Sequence, residues 1–167
     1  DILHGNKRFS LNEDLGSGTY NRDVSPWVLG YILGVEWEDT TVAYTDHMDD
    51  DKNEYIGEYM YTTEDATPFE AMLAQVGDRI IGYETNRYKT QRLVAFSNWP
   101  TTDPLDWGEM VSYYFRKFAK VDVEHIRTSD AFIAGQFASY HIYPYYPDYY
   151  GFMNIIGEVV PGMADFV

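Results

Sequence analysis

Hydrophobic and polar positions divide the chain into alternating blocks. "DILHGNKRF" is a short apolar stub that turns at Gly5-Asn6, so it reads as the end of a strand. Residues 10–23 are polar and glycine-rich and read as a loop. "WVLGYILGVEW" follows Pro26 and is nearly continuous in apolar residues. A run of that kind predicts a strand covered on both faces, as in a parallel sheet, and Ser25-Pro26-Trp27 allows an initial helical turn. Residues 38–66 are acidic and read as an excursion from the scaffold.

The best helix signal spans 67–88. Thr67 can cap it, Pro68 suits its first position, and Glu70 stands three residues after the cap. Phe69, Leu73, Val76 and Ile80 recur at helical spacing. "QRLVAFSNWPTTDPL" reads as a short strand with a proline-bounded loop. "DWGEMVSYYFRKFAKV" reads as a second helix with Met110, Tyr114 and Phe118 on one face. "VDVEHIRTSDAF" reads as irregular. "GQFASYHIYPYYPDYY" predicts a further strand that runs into an aromatic loop, and a brief apolar run surrounds Glu158. Strands alternating with helices predict an α/β fold with parallel pairing and right-handed crossovers.

Each of these strands ends on residues capable of chemistry: Glu36-Trp37, Asn98-Trp99, and His141 with Tyr143. Ligands of parallel α/β folds bind at the carboxyl ends of strands. Glu36 can donate a proton to a leaving oxygen if burial, here by Trp37 and the apolar strand, raises its pKa; the alternative is a solvated strand end. Alternation puts His141 and Tyr143 on one strand face, opposite Tyr140 and Ile142. Asn98, Trp99 and Asp103 cluster around one turn, where Trp99 can serve as a sugar platform or simply pack the loop.

Charge and composition narrow the ligand. The 167 residues suffice for a single domain, 1–167, with its own core. The formal charge of −15 argues against a nucleic-acid backbone and against an anionic membrane surface. No stretch approaches the ~20 apolar residues of a membrane span. Aromatic residues reach 17%, which suits stacking on sugar rings as well as ordinary packing. With 0 cysteines there is no disulfide and no thiolate metal site. The four His are widely spaced, and Asp49, Asp51 and Asn53 mimic only the start of a calcium loop. Glu54 stands where that loop needs Gly, and Met60 where it needs Glu, so neither a metal nor another cofactor is expected.

Taken together, "WVLGYILGVEW", "FSNWPTTDPL" and "FASYHIYPYYPDYY" resemble bacterial TIM-barrel glycoside hydrolases. The likeness is to cellulase-like and family-2-like catalytic domains, which carry two glutamates on strands four and seven. It implies a partial (β/α)8 TIM barrel, roughly strands three to six or seven, with long βα loops. It implies a retaining mechanism in which Glu36 is the acid/base and Glu158 the nucleophile, with the carboxyls ~5–5.5 Å apart. It also implies substrate contacts from Trp37, Asn98, Trp99, Asp103, His141, Tyr143 and Tyr145, an oligo- or polysaccharide ligand, and an extracellular or cell-envelope location. Two departures stand out. Val35 occupies the place where the family usually has Asn. The 15 residues from Tyr143 to Glu158 are also too few for a strand and a full crossover. The alternatives are a non-catalytic carbohydrate-binding barrel and a structural fragment. A half barrel exposes sheet edges, so the remainder of the barrel or another chain is the expected partner.

Overall fold

A computed structural model describes residues 1–10, 16–106 and 108–141. The chain divides into two units, Asp1–Gly30 and Tyr31–Val167. The first is a hairpin followed by a turn. Strand β1 (Lys7–Phe9) pairs antiparallel with β2 (Gly18–Tyr20), with Arg8 opposite Thr19. The stretch expected to be only loop therefore contains a strand. Ser25–Trp27 forms the single helical turn that Pro26 suggested.

β3 (Gly30–Leu33) leads into the second unit, where α1 (Asp39–Met48), β4 (Met60–Thr62) and α2 (Pro68–Tyr88) follow. Then come β5 (Leu93–Phe96), the short helix α3 (Glu109–Tyr114) and β6 (Ile126–Thr128). The acidic excursion is thus partly ordered, since it holds α1 and β4. β6 likewise lies in a segment that looked irregular. Strand β5 pairs with β3 on one side. On its other side Val94 makes a parallel bridge to Gln136, through Val94 N–H to Gly135 O and Phe137 N–H to Val94 O. β4 pairs antiparallel with β6, Tyr61 opposite Arg127. The described strands form three two-stranded sheets and no closed barrel.

Helix α2 organises this unit. Thr67 Oγ1 accepts from Glu70 N–H and Glu70 Oε2 accepts from Thr67 N–H, closing the expected capping box. The buried residues are Phe69, Glu70, Ala71, Leu73, Ala74, Gly77, Ile81 and Glu84. Their face is rotated from the expected stripe, leaving Val76 exposed. The reason is size: Ala74 and Gly77 let the helix backbone approach β4 and β5. A Cβ on Gly77 would lie 2.6 Å from Met60 Sδ and 3.1 Å from Phe96 Cζ. The helix ends at Lys89 in the left-handed conformation, φ 56°.

Glu70 does more than cap. Its Oε1 accepts from Asp122 N–H at 2.6 Å, and its Oε2 lies 2.7 Å from His125 Nδ1. Burial pushes the Glu70 carboxyl upward, while hydrogen bonds from Thr67, Asp122 and His125 hold it back. Burial opposes protonation of His125, but the Glu70 bond and charge, with Asp122 and Asp65 adding, override it and raise the ring's pKa.

The second predicted helix is much shorter than 106–121. Arg116 adopts φ 59°, Arg116 N–H donates to Tyr113 O, and Lys117 N–H donates to Ser112 O. This is a Schellman-type stop. Met110 and Phe118, expected on one helix face, are exposed, and Lys117 turns inward.

Two outcomes test this packing. Gly77→Ala should lower unfolding free energy by about 1–3 kcal/mol in chemical denaturation, through overpacking against Met60 and Phe96. The raised pKa of His125 contributes stability that is full below its unfolded value of 6.5 and fades as pH rises through the folded value. His125→Gln should therefore flatten the fall of the unfolding midpoint above that pH. An unchanged slope would refute the pairing.

Candidate functional site

The chain leaves β3 through Gly34, at φ 86°. A Cβ there would fall 1.8 Å from the Trp37 ring, so only glycine lets the indole fold back over the strand end. Trp37 then packs edge-on against Phe69, with centroids 5.3 Å apart at 76°. Its Nε1–H donates to Ser97 O at 3.0 Å. Ser97 N–H donates to Leu33 O at 3.1 Å, and Ser97 Oγ donates to Val35 O. The tips of β3 and β5 are thereby tied together.

Glu36 emerges between these anchors, its side chain 40% exposed. Its Oε1 lies 3.1 Å from His141 Nδ1, across 105 residues of sequence. The carboxylate oxygen there can accept the ring's Nδ1–H, which restrains the rotamers of both groups. Of the expected last strand, the described residues show an isolated bridge at Gln136, and Ile142 and Tyr143 lie outside them. His141 meets Glu36, whereas Tyr140 is raised in pKa by burial and then by Glu124 and Asp122.

The remaining expected residues are distributed differently. Asn98 is 3% exposed, and its Oδ1 accepts from Trp99 N–H at 2.6 Å. That bond fixes the amide's orientation, and among the described residues Nδ2 has no partner. Trp99 is half-buried at the start of the single turn Pro100–Thr102. Asp103 is drawn away from any ligand-facing position: its Oδ1 meets Lys117 Nζ at 2.7 Å, both side chains being almost fully buried. Desolvation raises the carboxyl's pKa and lowers the ammonium's, and each partner opposes that shift in the other. Trp37 has its indole directed at Phe69 and Ser97 rather than offered as a platform. Glu158, Tyr143 and Tyr145 lie outside the described residues.

Sequence reading missed Ser97. The only signal was a small hydroxyl residue closing the apolar run "LVAF". It also read Glu70 as a cap alone and passed over His125. Among the described residues no group of three or more His, Asp or Glu side chains is placed to hold a metal ion. No described helix is long and apolar enough to cross a membrane. Comparison with protein-family models, curated proteins and solved structures gave no match.

The Asp103–Lys117 pair gives a direct test. Lys117→Met leaves a buried carboxylate without its counter-charge and should cost about 3–5 kcal/mol. The double variant Asp103→Asn/Lys117→Met should recover much of that loss in denaturant titrations. A double-variant loss equal to the sum of the Asp103→Asn and Lys117→Met losses would show that the pair does not couple.

Proposed function

We propose that this chain carries part of a carbohydrate-active site of the retaining glycoside hydrolase type, with Glu36 as general acid/base. The observation that carries the reading is the Glu36–His141 contact. Two residues singled out at the ends of separate strands lie within hydrogen-bond distance, with the tip of β5 tied to that of β3. An acid/base carboxylate must be accessible to substrate yet held in one orientation, and the partial exposure and imidazole partner of Glu36 meet both needs.

In this reading β3, β5 and the segment around Gln136 are successive strands of a partial (β/α)8 barrel. Their order across the sheet supports it, β5 lying between the other two, as does α2 preceding β5. Their carboxyl ends carry Glu36, Asn98 and His141. Glu36 would protonate the leaving glycosidic oxygen, then take a proton from the water that releases the sugar. The nucleophile would be a second carboxylate, Glu158 or one supplied by another part of the protein. The ligand would be a neutral or cationic oligo- or polysaccharide, consistent with the charge of −15. Trp99, half-buried after the β5 tip, would line its path.

The test uses aryl glycosides of several sugars in both anomeric forms. Wild type should release the aryl group from at least one of them, with retention of configuration by NMR. Glu36→Gln should reduce kcat by about 10²–10⁴-fold. Binding on a glycan array without turnover, unaffected by Glu36→Gln, would favour a non-catalytic carbohydrate-binding barrel. Neither binding nor turnover would leave a scaffold.

A further inference from the structure

We infer that Ser97 is the positioning residue for Glu36, holding it through its neighbours on both sides, the Val35 carbonyl and the Trp37 indole. The argument begins at Gly34. Its positive φ ends β3, so the regular backbone ladder cannot run on to residue 36. A carboxylate beyond such a break would swing with the loop. Ser97 replaces the missing ladder. Its N–H holds Leu33 O, its Oγ holds Val35 O, and its carbonyl receives the Trp37 indole N–H. One wholly buried residue of the β5 tip thus grips residues 33, 35 and 37.

Glu36 is the residue between the last two grips. With Val35 and Trp37 both fixed, the direction of its Cα–Cβ bond is fixed. Only its own side-chain torsions remain, and His141 restrains those. Val35 takes part through its carbonyl alone, its side chain being 69% exposed. Displacement of a reacting group by about 1 Å can cost roughly a hundredfold in rate, so such a grip has a catalytic consequence beyond stability. Ser97 contacts neither reacting atom in this scheme; it acts through Glu36. The catalytic part of the inference rests on the glycosidase reading, but the positioning part does not.

The test reads the Glu36–His141 contact itself, by 15N NMR of the His141 ring in the intact protein. Glu36→Gln defines the ring resonances when the carboxylate is lost. Ser97→Ala removes the hydroxyl grip, and Trp37→Phe removes the indole N–H while keeping a ring against Phe69. Each should move the His141 resonances toward the Glu36→Gln position. Each should also lower kcat about tenfold to a hundredfold, with KM nearly unchanged, on whichever glycoside the wild type hydrolyses. His141 resonances identical to wild type in the folded variants would overturn the inference. A wild type without turnover whose variants still shift His141 would overturn the glycosidase reading and support the positioning role. Should the variants not fold, the unaltered protein decides. The Trp37 indole N–H should exchange with solvent at least about tenfold more slowly than that of Trp27, which is 80% exposed. Equal exchange rates would overturn the inference.

Discussion

The close approach of α2 to the strands is the constraint on which the larger unit depends. Ala74 and Gly77 remove side-chain bulk from the helix's inner face, so Met60 of β4 and Phe96 of β5 meet its backbone. Leu73, Ile81, Val94, Val123 and Ile126 fill the surrounding volume. Within this unit α1, β4 and β6 pack directly on α2. α1 is tied to it by Asp46, whose Oδ1 accepts from Phe69 N–H at 2.8 Å. β4 is held by Asp78, which accepts from the N–H groups of Tyr59 and Met60 at 2.7 and 2.9 Å.

Buried charge is placed where elements join. Glu84 pairs with Arg92 between the end of α2 and the start of β5, both side chains almost fully covered. Glu70 joins the start of α2 to Asp122 and His125, and Asp103 joins the loop after β5 to Lys117. Each such pair costs desolvation, so little net stability follows from it. What it supplies is register, because a misplaced strand or helix would leave a charge buried alone. This explains why Lys117 goes inward while Met110 and Phe118 remain outside.

The same economy operates at the strand tips. Trp37 contributes its ring to the core through Phe69 and its N–H to the sheet through Ser97. An indole directed at the core cannot also be a sugar platform. In exchange it fixes the backbone next to Glu36. Aromatic residues at a strand end can therefore support a site from behind rather than line it.

Much of this was readable from local pattern. The capping box at Thr67 and Glu70, the turn at Pro26, and the positions of β3, α2 and β5 all rest on signals within a few residues, although Ile32 of β3, expected to be covered on both faces, is exposed. Local signals suffice there because caps, turns and amphipathic periods arise from near-neighbour hydrogen bonds and sterics. Three-residue strands such as β2, β4 and β6 left no such trace, since their stability comes from a partner far along the chain. The rotation of α2, the early stop of α3, the inward turn of Lys117 and the 3.1 Å contact of Glu36 with His141 belong to the same class. The sequence alone determined which residues could do chemistry and which segments could be helices. Only the tertiary structure decided which of those residues meet, because that depends on how closely Gly77 lets α2 approach and on what Ser97 ties across the strand ends.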